Sequence, residues 1–274
     1  MAWLLKSNRQ VERQAIHQLA LERRIALEAQ ITDARATEIP LEQFLRRDLS
    51  LERFVAAQPW RRHLFGFLGP LQGKVVLDVA CGYSMTPVMM ALAGAIVYAV
   101  DVAPRSLAMV KRVAEAKGVG DRVHIHAGPA ELLPYADESF DLLFGGAALH
   151  HLQLERAGAE LARVLKRGGR GGFQEPLGHN LLLEWARDHL PYQAKHPVKG
   201  TDLPLRIADI ETLGRHFTTC TYRGFDLLAM AAKLLRLLPA SPSTKLLQRC
   251  DQILFDAVPF LQRYARFVVV TVTK

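Results

Sequence analysis

The sequence predicts an α/β fold in which a mostly parallel sheet carries helices on both faces. Three observations support this. From Gly73 onward, short apolar runs alternate with helical stretches, the rhythm of repeated strand–helix–strand units. The strand-like runs are apolar at consecutive positions, as a sheet covered on both sides requires. The first of them enters a tight turn, "DVACGYS", and an acid, Asp101, stands 19 residues past Gly82 at the end of the second strand.

The elements follow in order. From about Lys6 to Leu71 the pattern is helical and charged, with apolar positions at Val11, Ile16, Leu19, Leu21 and Ile25 on roughly one face. A second helical stretch runs from about Leu41 to Phe67, where Gly69 and Pro70 break it. Beyond Gly73, "KVVLDVA" is a strand, "MTPVMMALAG" a helix and "AIVYAVDVA" a strand. "PRSLAMVKRVAEAKG" is a helix, "RVHIHAG" and "SFDLLFGG" are strands, "LERAGAELARVLKRG" is a helix and "RGGFQEP" a strand. Helical segments between Phe225 and Gln262 precede a last strand, "RFVVVTVTK". The expected division is a helical lid region over 1–71 and an α/β domain over 72–274, with a helical insertion at about 227–263.

Bulk properties narrow the function classes. The 274 residues suffice for a substantial core, and half of them are hydrophobic. Lys and Arg total 35 against 27 acids, a net charge of +8 that favours anionic partners without specifying one. Cys81, Cys220 and Cys250 are too few and too scattered for a disulfide framework or a zinc site. A reducing cytoplasm is the expected location. "MAWLLKSNRQ" lacks the apolar region and cleavage site of a secretory signal, and no apolar run reaches the length of a spanning helix.

In an open α/β sheet, ligands bind outside the carboxyl ends of the strands where the strand order reverses, so the turn after the first strand is the place to look. Gly82 can supply a left-handed or closely approached backbone position. Ala80 is the smallest replacement for a glycine, and Ser84 can cap the following helix. The three-glycine pattern of a dinucleotide site is absent. Asp78, at the strand end, would instead suit a ligand with a cationic group and no phosphate, such as S-adenosylmethionine.

With these blocks in order, the sequence resembles the class I S-adenosylmethionine-dependent methyltransferases, in particular the ubiquinone/menaquinone-biosynthesis-like (methyltransferase type 11) group. "VVLDVACG" is similar to the family's first motif and "VDVAPRSL" to its second. "GPAELLPYADESFDLLFGGAALHHL" is similar to the third and fourth together, and "ELARVLKRGGRGGFQEP" to the fifth. The resemblance covers about Gly73 to Pro176. It implies a Rossmann-like, doubly wound, seven-stranded sheet with an antiparallel last strand, "FTTCTYRGF" supplying the sixth strand.

For the cofactor, it implies binding by Asp78, Ala80, Gly82, Tyr83, Asp101, Val102, Pro129, Ala130 and Gly145, with Asp101 on the ribose and the Ala130 backbone on the adenine edge. Pro129 stands where the family usually carries an aspartate that accepts from the adenine amino group.

A sulfonium is already an activated methyl donor, so the protein's main task is alignment of the reacting atoms. A general base is needed only when the acceptor begins protonated, and histidine suits that role near neutral pH. His150 and His151, in the loop after the fourth strand, are the candidates; alternatively the pair packs and hydrogen-bonds to backbone. Glu175, His179 and Asn180, in the family-like "EPLGHN" stretch, are candidate substrate-pocket groups, or a turn that caps the next helix. His196 is a weaker candidate.

Cys81 reads as a small buried hydrophobe, and no histidine pair with a carboxylate base points to a metal. The basic, apolar helices between Phe225 and Gln262 read as core, a lipophilic pocket or a weak membrane-surface contact.

The expected activity is methyl transfer to a small, lipophilic molecule at oxygen or carbon. Two rivals stand beside it. A nucleic-acid methyltransferase suits the positive charge, but no N-P-P-Y type motif follows the fourth strand and no aromatic-rich binding module is appended. A cofactor- or partner-binding protein without methyl transfer would fit the departures at Ala80, Ser84 and Pro129. The oligomeric state is not encoded in any pattern of the sequence.

Overall fold

A computed structural model describes residues 21–189, 203–230 and 242–274. Val11, Ile16, Leu19, His196 and the middle of the expected insertion lie outside the described residues.

The N-terminal region forms helices α1 (Leu21–Thr37), α2 (Leu41–Leu45), α3 (Leu51–Ala56) and α4 (Pro59–Leu68). The helical stretch expected over 41–67 is made of three helices. Ser50 Oγ accepts from Arg53 N (3.3 Å) and starts α3 afresh, while Pro59 occupies the first turn of α4.

The sheet then builds as β1 (Val75–Val79), α5 (Thr86–Leu92), β2 (Ile96–Asp101), α6 (Pro104–Ala116), β3 (Val123–Ala127), β4 (Phe140–Gly146), α7 (Leu154–Val164) and β5 (Leu165–Pro176). After these come α8 (Leu181–His189), α9 (Ile207–Gly214), β6 (Thr219–Phe225), α10 (Pro242–Ala257) and β7 (Phe267–Thr273). The helix expected to continue to Gly168 ends at Val164, because Leu165 already pairs with Phe140 of β4.

The strand order is β3-β2-β1-β4-β5-β7-β6. β1 to β5 are parallel, and β7 runs antiparallel to both β5 and β6. This is the seven-stranded, Rossmann-like sheet with an antiparallel last strand.

Alternation along the strands separates two cores. Val76 and Val97 face a cluster with Phe44, Leu64 and Met90, whereas Leu77, Val79 and Val100 face Phe140, Leu161 and Phe173 on the opposite side. Burying both faces fixes the register, since a slip of one residue would exchange the two clusters. The order reverses at β1, which pairs with β2 on one edge and β4 on the other. That reversal opens a crevice at the carboxyl ends of β1 and β4.

The described part of the insertion is tied to β6 through Arg223, which donates to Gln252 Oε1 (2.8 Å) and Asp256 Oδ1 (2.9 Å), and its own start is held by Asp251. This fully buried acid accepts from the backbone amides of Leu227, Leu228 and Ala229. No helix among the described residues is long and apolar enough to cross a membrane.

Candidate cofactor and methyl-transfer site

A cavity of about 530 Å³ occupies the crevice. One wall is the carboxyl edge of the sheet: the turn after β1, Asp101 and Val102 after β2, Ala130 and Glu131 after β3, and Gly146 to Leu152 after β4. The other wall is helical, with Arg24, Glu28, Thr32 and Arg35 of α1, then Arg47 and Phe54.

The turn after β1 keeps a glycine-type backbone without glycine at its start. Ala80 has φ +50° and Gly82 φ +52°, both left-handed. Asp101 holds this turn in place. Its Oδ2 accepts from Gly82 N (2.7 Å) and its Oδ1 from Ala103 N (2.8 Å). Each carboxylate oxygen retains a second lone pair, so the group can also accept from a vicinal diol. Burial pushes the Asp101 carboxyl up, and the two backbone amides oppose that shift. Ser84 Oγ accepts from Thr86 N (3.2 Å), the first amide of α5, while the cap position itself is Met85, whose side chain makes no capping bond.

Helix α1 is fastened across the opening at both ends. Arg24 donates to the backbone carbonyl of His151 and to Glu131 Oε1. One turn on, Glu28 Oε1 lies 3.4 Å from His151 Nδ1. At the far end Asp33 Oδ1 accepts from Ser106 N (2.9 Å) and Ser106 Oγ (3.1 Å), at the first turn of α6. A carboxylate there satisfies amides that no helical carbonyl reaches and complements the helix dipole.

His150 lines the cavity on a short 3-10 turn, Leu149–His151. Its Nδ1 is 2.6 Å from Glu175 Oε2, and Glu175 Oε1 accepts from Ala148 N and Leu149 N, each at 2.8 Å. One buried carboxylate therefore orients both the turn and its imidazole. The His151 ring lies 4.1 Å from that of His150.

Of the candidates, Ala80, Gly82, Tyr83, Asp101, Val102, Ala130, His150 and His151 all line this cavity. The remaining candidates stand behind or beside it, and their expected direct contacts are corrected accordingly. Asp78 is buried beneath the turn, where burial first and the neighbouring Asp101 charge second raise its carboxyl well above the ordinary range. Gly145 packs against Phe173, so that a Cβ would come within 2.7 Å of the ring, and Pro129 is outside the lining.

Glu175 is fully buried and supports His150 in place of lining the pocket. His179 Nε2 accepts from Ile207 N (3.1 Å) at the start of α9, and Asn180 Oδ1 accepts from Leu183 N (3.2 Å), capping α8. The capping alternative is the one Asn180 adopts. Cys81 is buried, and its thiol is pushed well up by burial. Among the described residues no cluster of His, Cys, Asp or Glu is arranged to hold a metal.

The sequence predicts a helical lid over 1–71 without naming the residues that would face the site, and it does not single out Glu131. The available signal was polar spacing: Arg24, Glu28, Thr32 and Arg35 recur at helical intervals and form one stripe.

The donor and acceptor set fits an adenosine-type cofactor: an acid for a diol, an apolar slot of Val102, Ala130 and Leu152 for a flat base, and a spare carboxylate oxygen on Glu131. It does not fit a pyrophosphate, because Gly82 N is already given to Asp101, Thr86 N to Ser84 Oγ, and Pro87 has no N–H to offer.

Comparison with known proteins agrees. Residues 77–172 match a family described as a methyltransferase domain. A demethylmenaquinone methyltransferase of Corynebacterium glutamicum is 37% identical over 157 residues, covering 55% of this chain and 65% of that protein. The Thermobifida fusca enzyme of the same name is 37% identical over 131 residues, covering 46% of this chain and 52% of its own. The chain thus spans about half the length of the curated relatives it matches.

A geranyl diphosphate C-methyltransferase from Streptomyces coelicolor, solved with S-adenosyl-L-homocysteine, superposes with a TM-score of 0.52 at 16% identity. That match covers 81% of this chain and 83% of that one, and it shows the shared fold alone. Motif order, sheet topology and the cavity at the reversal of strand order all agree with the match of residues 77–172 to a methyltransferase domain.

Proposed function

We propose that this chain transfers a methyl group from S-adenosylmethionine to a small, lipophilic acceptor at oxygen or carbon. The observation that carries the reading is Asp101. It stands at the reversal of strand order, ties Gly82 and Ala103 into a cofactor turn, and keeps lone pairs for ribose hydroxyls. S-adenosylmethionine would supply an activated methyl on a cationic sulfur.

The chain's own residues then bind, orient and exclude water. Asp101 receives the diol, and Val102, Ala130 and Leu152 enclose the base. α1 acts as the lid of the 1–71 region, over a methyltransferase domain at 72–274 that carries the helical insertion near 227–263. Phe54, Met85 and Met89 give the cavity an apolar lining suited to an apolar acceptor, a choice in keeping with relatives named for demethylmenaquinone. Where the acceptor is a hydroxyl, His150 is the general base, its imidazole at the cavity lining and oriented by Glu175 through Nδ1.

Titration calorimetry with S-adenosylmethionine and S-adenosylhomocysteine tests the reading. Wild-type protein is expected to bind both, with affinity at least about tenfold lower in Asp101→Ala, from the loss of charge-assisted hydrogen bonds. A well-folded wild type that binds neither would overturn it. Binding without turnover of any lipophilic acceptor would favour the binding-only alternative suggested by the departures at Ala80 and Pro129.

A further inference from the structure

We infer that Glu131 is the acceptor for the exocyclic amino group of the cofactor's adenine, the task that Pro129 has no group to perform. The inference rests on the cofactor reading above and concerns the same cavity.

Three features of Glu131 carry it. Its side chain is 1% exposed, and the residue lines the cavity. Its Oε1 is fully engaged, accepting from Gln153 N (2.9 Å) and from Arg24. Its Oε2 is buried with no hydrogen-bond partner. An ionised carboxylate carries two acceptor oxygens, and leaving one buried and unmatched costs about 1–3 kcal/mol or more. Such an atom calls for a donor from whatever fills the cavity.

Position then identifies that donor. With the ribose diol at Asp101 after β2, the base extends toward the next loop outward, Gly128 to Glu131 after β3. Val102, Ala130 and Leu152 give the lining apolar surface for a flat aromatic ring, and the unmatched carboxylate oxygen of Glu131, a residue of the same lining, suits an N–H on the ring's edge. Arg24 and Gln153 fix the carboxylate through its other oxygen, so Oε2 is oriented before the base arrives. A site built this way rejects a base that presents a carbonyl there, because two acceptors would face each other without solvent.

The test is a comparison of base analogues by calorimetry: S-adenosylhomocysteine, its inosine counterpart with a carbonyl in place of the amine, and its purine counterpart with hydrogen there. Wild type is expected to bind the purine form about tenfold more weakly than the adenine form, and the inosine form more weakly still. In Glu131→Gln, whose amide can donate as well as accept, the adenine-to-inosine ratio should fall to within about threefold. A merely structural role for Glu131 would weaken all three ligands together and leave the ratio intact, which would overturn the inference.

An inosine form that binds wild type as well as the purine form does would also overturn it, and that arm needs no variant to fold. Should wild type bind none of the three, the cofactor reading itself fails. Binding of all three with no preference fails the assignment of Glu131 alone.

Discussion

The two walls of the cavity are built on different principles. The sheet wall is a set of strand ends whose positions are fixed by backbone pairing and by two buried cores. Its side chains sit where the ladder places them: Asp101 at the last residue of β2, Gly146 at the last of β4. The helical wall has no such frame. α1 is held over the site by side chains, chiefly Arg24 at one end and Asp33 at the other, with Ile31 and Ala36 its buried apolar residues. A wall held by pairing is stable before ligand arrives, whereas one held by a few polar contacts can release and return. Lids are drawn from the less stable parts of a protein for this reason.

The largest effect that sharpens this contrast should come from Glu175→Ala, behind the sheet wall. The change removes acceptors from two buried amides and from His150 Nδ1, a loss of about 4 kcal/mol or more in unfolding free energy. Urea denaturation checks it. A loss below about 1 kcal/mol would mean that the turn after β4 holds its shape unaided, and the two walls would then differ less than the geometry implies.

Asp33→Ala, on the helical wall, should cost less, about 1–2 kcal/mol, as for a lost helix cap. Its signature lies elsewhere: faster amide exchange along α1 with β1 and β4 unchanged, and faster dissociation of S-adenosylhomocysteine. Uniform exchange changes across both walls would break the distinction.

The same contrast governs what could be read from sequence. The strands, their order of appearance and the acid at the end of β2 were legible, because a doubly covered sheet forces consecutive apolar residues and a cofactor turn forces a small-residue signature. The antiparallel β7 followed from family likeness, since nothing local in "RFVVVTVTK" tells direction. A helical lid over 1–71 is expected from the sequence, but which face of α1 would serve was not legible. Its stripe of Arg24, Glu28, Thr32 and Arg35 looks like any solvated face until tertiary contacts give it a partner. Glu175 shows the opposite failure: its position next to the pocket was right, but whether a carboxylate at a strand end points into the cavity or beneath a loop depends on which amides lie unsatisfied nearby.

A pH experiment probes the sheet wall from beneath. The Asp78 carboxyl is raised by burial and by Asp101, with Thr86 opposing. A group whose folded-state pKa is raised contributes stability that is full below its unfolded value, 3.8, and is lost as pH rises through the folded value. Asp78→Asn removes that ionisable group while keeping its shape. The melting temperature of the variant relative to wild type should therefore increase steadily as pH climbs above 3.8, and the two should converge below it. A constant difference across pH would show that Asp78 is not held in its neutral form.

The smallest effect belongs to Ala80, and it bears on how far a motif's letters can drift. The residue departs from glycine, yet its backbone does not: φ is +50°, the conformation a glycine would adopt. A left-handed alanine costs about 1 kcal/mol, while glycine's greater freedom in the unfolded chain returns part of that. Ala80→Gly should accordingly stabilise the fold by only about 0.5 kcal/mol and leave S-adenosylhomocysteine affinity within about twofold. Asp101 still holds Gly82 N in either case, so the turn keeps its shape whichever residue precedes it. A much larger gain in affinity would mean that the methyl group at Ala80 crowds the ligand, and the sheet wall would then be imperfectly formed before binding.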